Sequence, residues 1–302
     1  MSRTRSFAAR AGLLALLVVG PTARGGAAEA TLRWKLKTGE TLRYEFRQKN
    51  EIKVKAAGGQ GSDNTTELTI DLTWKVKGVN QDGTAEVTLV VDRVRSEIRL
   101  GPQTIKYDSK DQAADDPGAR PLKAVYGAAV GVEYTLQIDA RGRVVGAKVP
   151  AKVTEALLGS PFVATADGGS VLSEKGLMNL FAQLLPVLPE KAVDKGATWS
   201  TDLELPVPPM RLSLSYKEDL AAIDDATARV DAAIHTTIKP DPDAPFTVDV
   251  KKQSGNRSVT LDTKNGRVTT STVTQSVELT LGFMNREIEQ VISLEEHMKL
   301  VP

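Results

Sequence analysis

The chain contains no cysteine. That one absence removes disulfides, zinc–thiolate sites, iron–sulfur clusters and thiol nucleophiles together. Histidine occurs only at His235 and His297, so a Ser–His nucleophile or a His-rich metal site has little to draw on. Charge of one sign is also missing. With 39 basic against 38 acidic residues and a formal net charge of +1, there is no electrostatic footprint for nucleic acid and no polybasic membrane patch. The apolar run Ala11–Gly20 is ten residues long, where a spanning helix needs about twenty. What remains is an ordinary globular composition: 302 residues, 41% hydrophobic and 5% aromatic. A chain of this length can bury roughly three-quarters of its unfolded surface.

Motifs that carry chemistry are also lacking. There is no G-x-S-x-G elbow and no H-E-x-x-H, and neither histidine has a recognisable catalytic setting. In the alternation of their segments both histidines fall on the wetter face. The carboxylate pairs Asp115-Asp116, Asp224-Asp225 and Asp241 with Asp243 sit in turn-rich stretches, where Asp bonds local backbone. None begins a calcium-loop ladder. Gly58-Gly59-Gln60-Gly61 lacks the strand-then-helix context of a phosphate loop and reads as a flexible turn. The expectation is a protein that is not an enzyme, with no cofactor and no metal.

What is present begins with an address. Arg3, Arg5 and Arg10 precede the apolar run, and small residues follow to Ala27-Ala28-Glu29-Ala30. That three-part order is a cleavable secretory signal over residues 1–30. It implies export to the periplasm or the extracellular space, and no integral membrane segment after cleavage. Cleavage follows Ala28 or Ala30, and a cut after Ala30 leaves 35 basic and 37 acidic residues.

The mature chain alternates. Leu68, Ile70, Leu72, Trp74 and Val76 interleave with Thr69, Asp71, Thr73 and Lys75, which is a strand with one wet face. The pattern recurs at Leu42-Tyr44-Phe46, Tyr134-Leu136-Ile138, Met210-Leu212-Leu214-Tyr216 and Val230-Ala232-Ile234. Residues 85–100, 246–250, 258–261, 268–281 and 288–300 add further strands, about a dozen in all. Asn265-Gly266 signals a two-residue hairpin with positive φ at both positions. Loose loops are expected at 55–65 and 109–120. Leu177, Leu180, Phe181, Leu184 and Leu185 instead recur at helical spacing, from Ser173 as N-cap to Pro186. Shorter helices are expected at 150–158 and 121–129.

Three landmarks recur in order. Gly39-Glu40-Thr41 matches Gly196-Ala197-Thr198, Trp74-Lys75 matches Tyr216-Lys217, and Tyr134-Thr135-Leu136 matches Val259-Thr260-Leu261. The fold class expected is mainly β with a minor helical part: large curved antiparallel sheets in two similar units. Residues 31–149 form the first β unit, 150–189 a central helical segment and 190–302 the second unit.

The opening Leu32-Arg33-Trp34-Lys35-Leu36-Lys37 with Gly39-Glu40, together with Leu188-Pro189 and Gly196-Ala197-Thr198-Trp199, resembles a family of exported bacterial β-rich proteins with no assigned activity. More remotely, many long strands around a helical insert are similar to lipoprotein carriers of the LolA and LolB type. There a curved sheet wraps helices and shelters an acyl chain, an analogy of fold alone.

The aromatics Trp34, Tyr44, Phe46 and Trp74 of the first unit, and Trp199 and Tyr216 of the second, fall on inward strand positions. With Leu177, Leu180, Phe181 and Leu184 of the helix they form either a filled core or an apolar groove. The groove reading implies a lipid or an acylated envelope partner. The core reading implies a structural or protein-interaction module. Protein isolated from an exporting bacterial host is expected to have the mass of residues 31–302 or 29–302, and a mass that retains residues 1–28 excludes cleavage.

Overall fold

Alternation converts into a single sheet. The computed structural model describes residues 29–56, 61–111, 117–158, 172–207, 209–284 and 286–302. The segment expected to be an export signal before Glu29, the Gly58-Gly59-Gln60 stretch expected to be a turn and the Asp115-Asp116 pair lie outside the described residues. Twelve strands follow: β1 (Thr41–Ala56), β2 (Gly61–Val79), β3 (Ala85–Leu100), β4 (Gln103–Asp108), β5 (Glu133–Ile138), β6 (Val144–Lys148), β7 (Thr198–Val207), β8 (Met210–Ile223), β9 (Thr227–Pro240), β10 (Phe246–Asp262), β11 (Arg267–Phe283) and β12 (Arg286–Val301). Their order across the sheet is β6-β5-β3-β2-β1-β12-β11-β10-β9-β8-β7, with β4 added beside β3. The named strand ladders are all antiparallel. The protein is mainly β, with the helices as a minor part.

The first and last strands pair with each other in the middle, Phe46 opposite Met298. On either side lies a meander, and two of the irregularities correspond between them. The β2–β3 ladder slips between Val76 and Gly78, and the β8–β9 ladder between Leu220 and Ala222. The β5–β6 ladder slips at Gln137/Ile138, and β10–β11 at Thr260/Leu261. Gly39 and Gly196 precede β1 and β7 with φ of 84° and 86°. Each donates its N–H across to the next strand, to the Val76 and Leu220 carbonyls at 2.9 and 2.8 Å. A β-carbon would be strained at both positions.

Three helices interrupt the strands: α1 (Arg120–Ala129), α2 (Ala151–Leu158) and α3 (Glu174–Leu184). In α3 the Ser173 hydroxyl accepts from Gly176 N at 3.0 Å, which satisfies an orphan donor of the first turn. Pro186 disfavours helical geometry for Leu185, which is extended. Leu177, Leu180, Phe181 and Leu184 are buried. This helix touches β6, β11 and β12. On a flat sheet β6 and β11 lie six spacings apart, about 29 Å, more than twice the width of a helix. The sheet therefore curls around α3, and its concave face carries the core.

One end of the curl is closed by the segment before β1. Trp34 N donates to Ala140 O and Lys35 N to Gly266 O, both at 2.9 Å, so this segment ties the β5–β6 turn to the β10–β11 turn. At the opposite end the sheet forks. Strands β9 and β10 pair only from Thr227 to Ala233 and from Asn256 to Asp262. Beyond that, β9 stays with β8 and β10 with β11. Gln253 Oε1 bridges the fork by accepting from Thr236 N at 2.6 Å. Gly255 sits at its base, where a β-carbon would lie 2.9 Å from Ile234 Cβ.

Several expectations change. Residues 61–65 and the start of the 55–65 loop belong to β2 and β1, because the β1–β2 ladder continues to Lys55 opposite Gly61. Within 109–120 the chain forms a short 3-10 turn at 117–119. The preceding β4 has only Ile105 and Tyr107 as apolar residues, and it leans on β3 as an edge strand. Residues 246–250 and 258–261 are one strand, β10. At Asn265-Gly266 only Gly266 has positive φ. The turn is longer than two residues, held by Asp262 Oδ1 accepting from Lys264 N and Asn265 N. Leu180 is 4% exposed, so Leu180→Asp is expected to cost on the order of 4 kcal/mol by placing an unpaired charge in the core. An unchanged denaturation midpoint contradicts this packing.

Candidate functional site

Reading the ladders across the concave face places residues in rows. Nearest the closed end the rows are apolar. Phe46 lies opposite Ile70 and Met298, and Val259 opposite Val230. Here the aromatics meet the helix directly. Trp74 stacks on Trp34 at 6.3 Å, tilts against Tyr44 at 5.1 Å and meets Phe181 edge-on at 5.2 Å. Trp34, Tyr44, Phe46, Trp74, Leu177, Leu180, Phe181 and Leu184 are all buried in one cluster. The Tyr44 hydroxyl donates to Val268 O at 3.0 Å, and burial pushes its phenol pKa up. Tyr216 is buried in the same cluster, and Trp199 packs against it. Trp199 is half-buried on β7 and donates to Val187 O at 2.9 Å.

The next row is different. From β1 to β7 the register runs Gln48, Glu296, Val273, Arg257, Ala232, Glu218, Trp199. Two carboxylates and a guanidinium thus share one band across the interior, with Glu218 at 0%, Glu296 at 2% and Arg257 at 3% exposure. The Arg257 guanidinium binds the Glu218 carboxylate through Nη2 and donates through Nη1 to the Gln183 and Leu185 carbonyls at 3.0 and 3.2 Å. These carbonyls end α3, where the negative end of the helix dipole favours a cation. The same guanidinium lies 4.3 Å from the centre of the Tyr216 ring, a cation–π contact. Ser271 Oγ donates to Leu184 O at 2.5 Å. The band is therefore where the helix stops and is tied to the sheet.

Burial shifts these groups against their charged forms. It raises Glu218 and lowers Arg257, and their mutual attraction opposes both shifts. Glu296 has no cation. Burial pushes its carboxyl up to about 7, opposed only by the hydrogen bond that Gln48 Nε2 donates to Oε1 at 2.8 Å. The other oxygen, Oε2, is buried without a partner. So are Asn50 Oδ1, Gln275 Nε2, Tyr216 Oη and Arg257 Nε. Asn50 and Gln275 face Leu294 from either side, one row toward the forked end. Each such orphan costs about 1–3 kcal/mol, so five around one band call for a partner.

Beyond the band the rows become apolar again, now past the end of α3. Ile52, Ile292 and Val277 form one row, and Val54, Leu279 and Val250 flank Gln290 in the next. Leu214 and Leu212 continue it on β8, opposite Thr236 and Ile238. Most are half-buried rather than buried. The rim exposes Phe283 at 37% and Met284 at 79%, with Met284 at φ 45°. The opposite face holds a polar depression of about 770 Å³ lined by Lys217, Asp219, Arg229 and Asp231 among others. Its charges alternate in sign, and Arg229 and Asp231 pair at 3.2 Å.

His235 is exposed, and His297 shares a 3.1 Å hydrogen bond with Thr272 on the outer face. Among the described residues no group of three His, Asp or Glu is placed to hold a metal. The sequence reading missed Glu218, Arg257, Glu296, Gln48, Asn50 and Gln275. A signal existed, because Glu218 falls in phase with Leu214, Tyr216 and Leu220 on the apolar side of its strand, and Glu296 with Met298.

No family model matches this chain, and no curated protein matches it. Among solved structures it is similar to lipovitellin, in a structure titled for lipid–protein interactions, at a TM-score of 0.51 and 10% identity. The match covers 88% of this chain and 25% of that one, so the chain spans about a quarter of that protein's length. The likeness is one of fold. OccK5 of Pseudomonas aeruginosa aligns at a TM-score of 0.27 and 7% identity, covering 88% of this chain and 99% of that one. An outer membrane channel of Pseudomonas putida F1 aligns at 0.25 and 8%, covering 90% and 97%. Neither carries an argument. No helix among the described residues is long and apolar enough to cross a membrane.

The Glu296 carboxyl also fixes a pH dependence. Its folded pKa lies above its unfolded value of 4.5, so the folded state holds the proton longer. Stability from this group is complete below about pH 4.5 and is lost as pH rises to about 7, by about 3 kcal/mol at 1.36 kcal/mol per pKa unit. Glu296→Gln is expected to flatten that part of the stability-versus-pH curve. Parallel curves for the two proteins contradict the assignment.

Proposed function

We propose that this protein is an exported, non-catalytic binding protein that holds an apolar or acylated ligand against the concave face of its sheet, beyond the end of α3. The observation that carries the reading is the change in cover at the polar band. Below it the apolar rows pack on α3 and the pre-β1 segment. Above it Ile52, Val54, Ile292, Val250, Leu212 and Ile238 stay half-buried on a surface that curls toward itself. A concave apolar surface with a few converging polar groups is the usual form of a small-molecule site. Each methylene moved from water onto such a surface contributes about 0.8 kcal/mol.

Three further facts support the reading. Lipovitellin, the protein of similar fold, is described by its lipid–protein interactions. The splayed β9–β10 hairpin leaves a gap in the wall of the curl through which a chain can enter. Phe283 and Met284 present apolar surface at the rim. For the non-catalytic part, the cations of the interior are engaged, Arg257 with Glu218 and helix carbonyls, and both histidines lie off the concave face. The order of Arg3, Arg5 and Arg10, an apolar run and small residues at the N-terminus supports export to the periplasm or the extracellular space.

Protein from an exporting bacterial host is expected to show, by native mass spectrometry, a discrete excess over its denatured mass equal to one long-chain lipid. Identical native and denatured masses, together with no uptake of added long-chain amphiphile, contradict the proposal.

A further inference from the structure

The polar band does more than end the core. Resting on the ligand-holding reading above, we infer that the band is a headgroup subsite that selects amphiphiles with an uncharged hydroxyl or amide head and rejects anionic ones. The argument starts from the unpartnered atoms. Asn50 Oδ1 and Glu296 Oε2 are acceptors, while Gln275 Nε2 and the Tyr216 hydroxyl are donors. They come from strands β1, β12, β11 and β8, and the register sets three of them within one or two rows of the Leu294 position. A head that both donates and accepts satisfies such a mixed set. An acceptor-only head, a carboxylate or phosphate, leaves both acceptors, Asn50 Oδ1 and Glu296 Oε2, unsatisfied.

Charge points the same way. The one cation in the band among the described residues, Arg257, is engaged by Glu218, by the end of α3 and by the Tyr216 ring, with its Nε alone left unpartnered. Glu296 has no counter-charge. An anionic head beside it meets a like charge in a region of low dielectric. A hydroxyl or amide instead donates to Oε2 and supplies the hydrogen bond that the carboxyl lacks. The half-buried apolar rows leading away from the band, through Ile52, Val54 and Val250, set the direction of the chain. The head therefore lies at the band and the tail points to the forked end.

The test compares three probes on the full exported chain at pH 8: N-phenyl-1-naphthylamine, which has no hydrogen-bonding head of this kind and reads the apolar surface alone, 1-monooleoylglycerol and oleate. The naphthylamine is expected to bind, and the monoacylglycerol to displace it at least about tenfold more effectively than oleate. Glu296→Gln is expected to shrink that preference to about threefold or less, because the amide removes the like charge and can donate to a carboxylate. Asn50→Leu is expected to weaken the monoacylglycerol about tenfold relative to naphthylamine measured on the same variant. Equal or tighter binding of oleate by the wild type, or a preference untouched by Glu296→Gln, overturns the headgroup assignment and leaves the ligand-holding reading in place. Failure of the naphthylamine itself to bind overturns both.

Discussion

One guanidinium organises the interior. Arg257 sits on the concave face of β10 and answers three demands at once: the carboxylate of Glu218, two carbonyls that end α3 at 3.0 and 3.2 Å, and the face of the Tyr216 ring. Burying an ion pair gives little net stability, because desolvation offsets the attraction. Its value here is positional. An apolar helix can slide or rotate on an apolar sheet at little cost. A helix whose last carbonyls are bound by a buried cation, and whose Leu184 carbonyl accepts from Ser271, has one place to stop. Where α3 stops, its cover ends: Leu214 and Ile234 carry the buried cluster further, while Ile52, Ile292, Val54 and Val250 stay half-buried on the remaining concave surface.

The sheet can carry that surface because of how it is joined. Two meanders of one plan, slipping at corresponding positions, are held together by β1 and β12, the first and last strands. Joining them through the chain ends puts the longest ladders in the middle of the sheet. The ladders thin out at the fork. On the first meander β4 covers the edge of β3 from Arg95 to Leu100. On the second, no described strand pairs β9 on that side from Ile234 onward, and the Gln253 side chain reaches across to Thr236. The second meander is therefore the one that opens.

Much of this was legible along the chain. The alternation from Leu68 to Val76 gives a strand because a period of two leaves one face to bury, and Ser173 and Pro186 bracket α3 by the donor they supply and the geometry they forbid. Edge elements were harder to read. Nearly every residue of β4 is polar or exposed, so it has no pattern of its own and exists through its partner β3. The band was illegible for another reason. Glu218 breaks the apolar phase of its strand once, which looks like noise, while Glu296 and Arg257 share their phases with Gln290 and Gln253, which blurs the pattern. Only the register brings Gln48 beside Glu296, 248 residues later, and makes the separate breaks one row. The aromatic residues were readable as inward-facing, but whether they met a helix or a void depended on the curl, which no local pattern encodes.

The central claim is that the concave face is divided at Arg257 into a packed part and a part that holds a ligand. A high-resolution crystal structure of protein isolated from an exporting bacterial host tests it most directly. The account expects elongated density lying on Ile52, Val54 and Val250, with its polar end against Glu296 and Gln275. Side chains filling that space, or ordered water alone bridging the unpartnered atoms of the band, would contradict it.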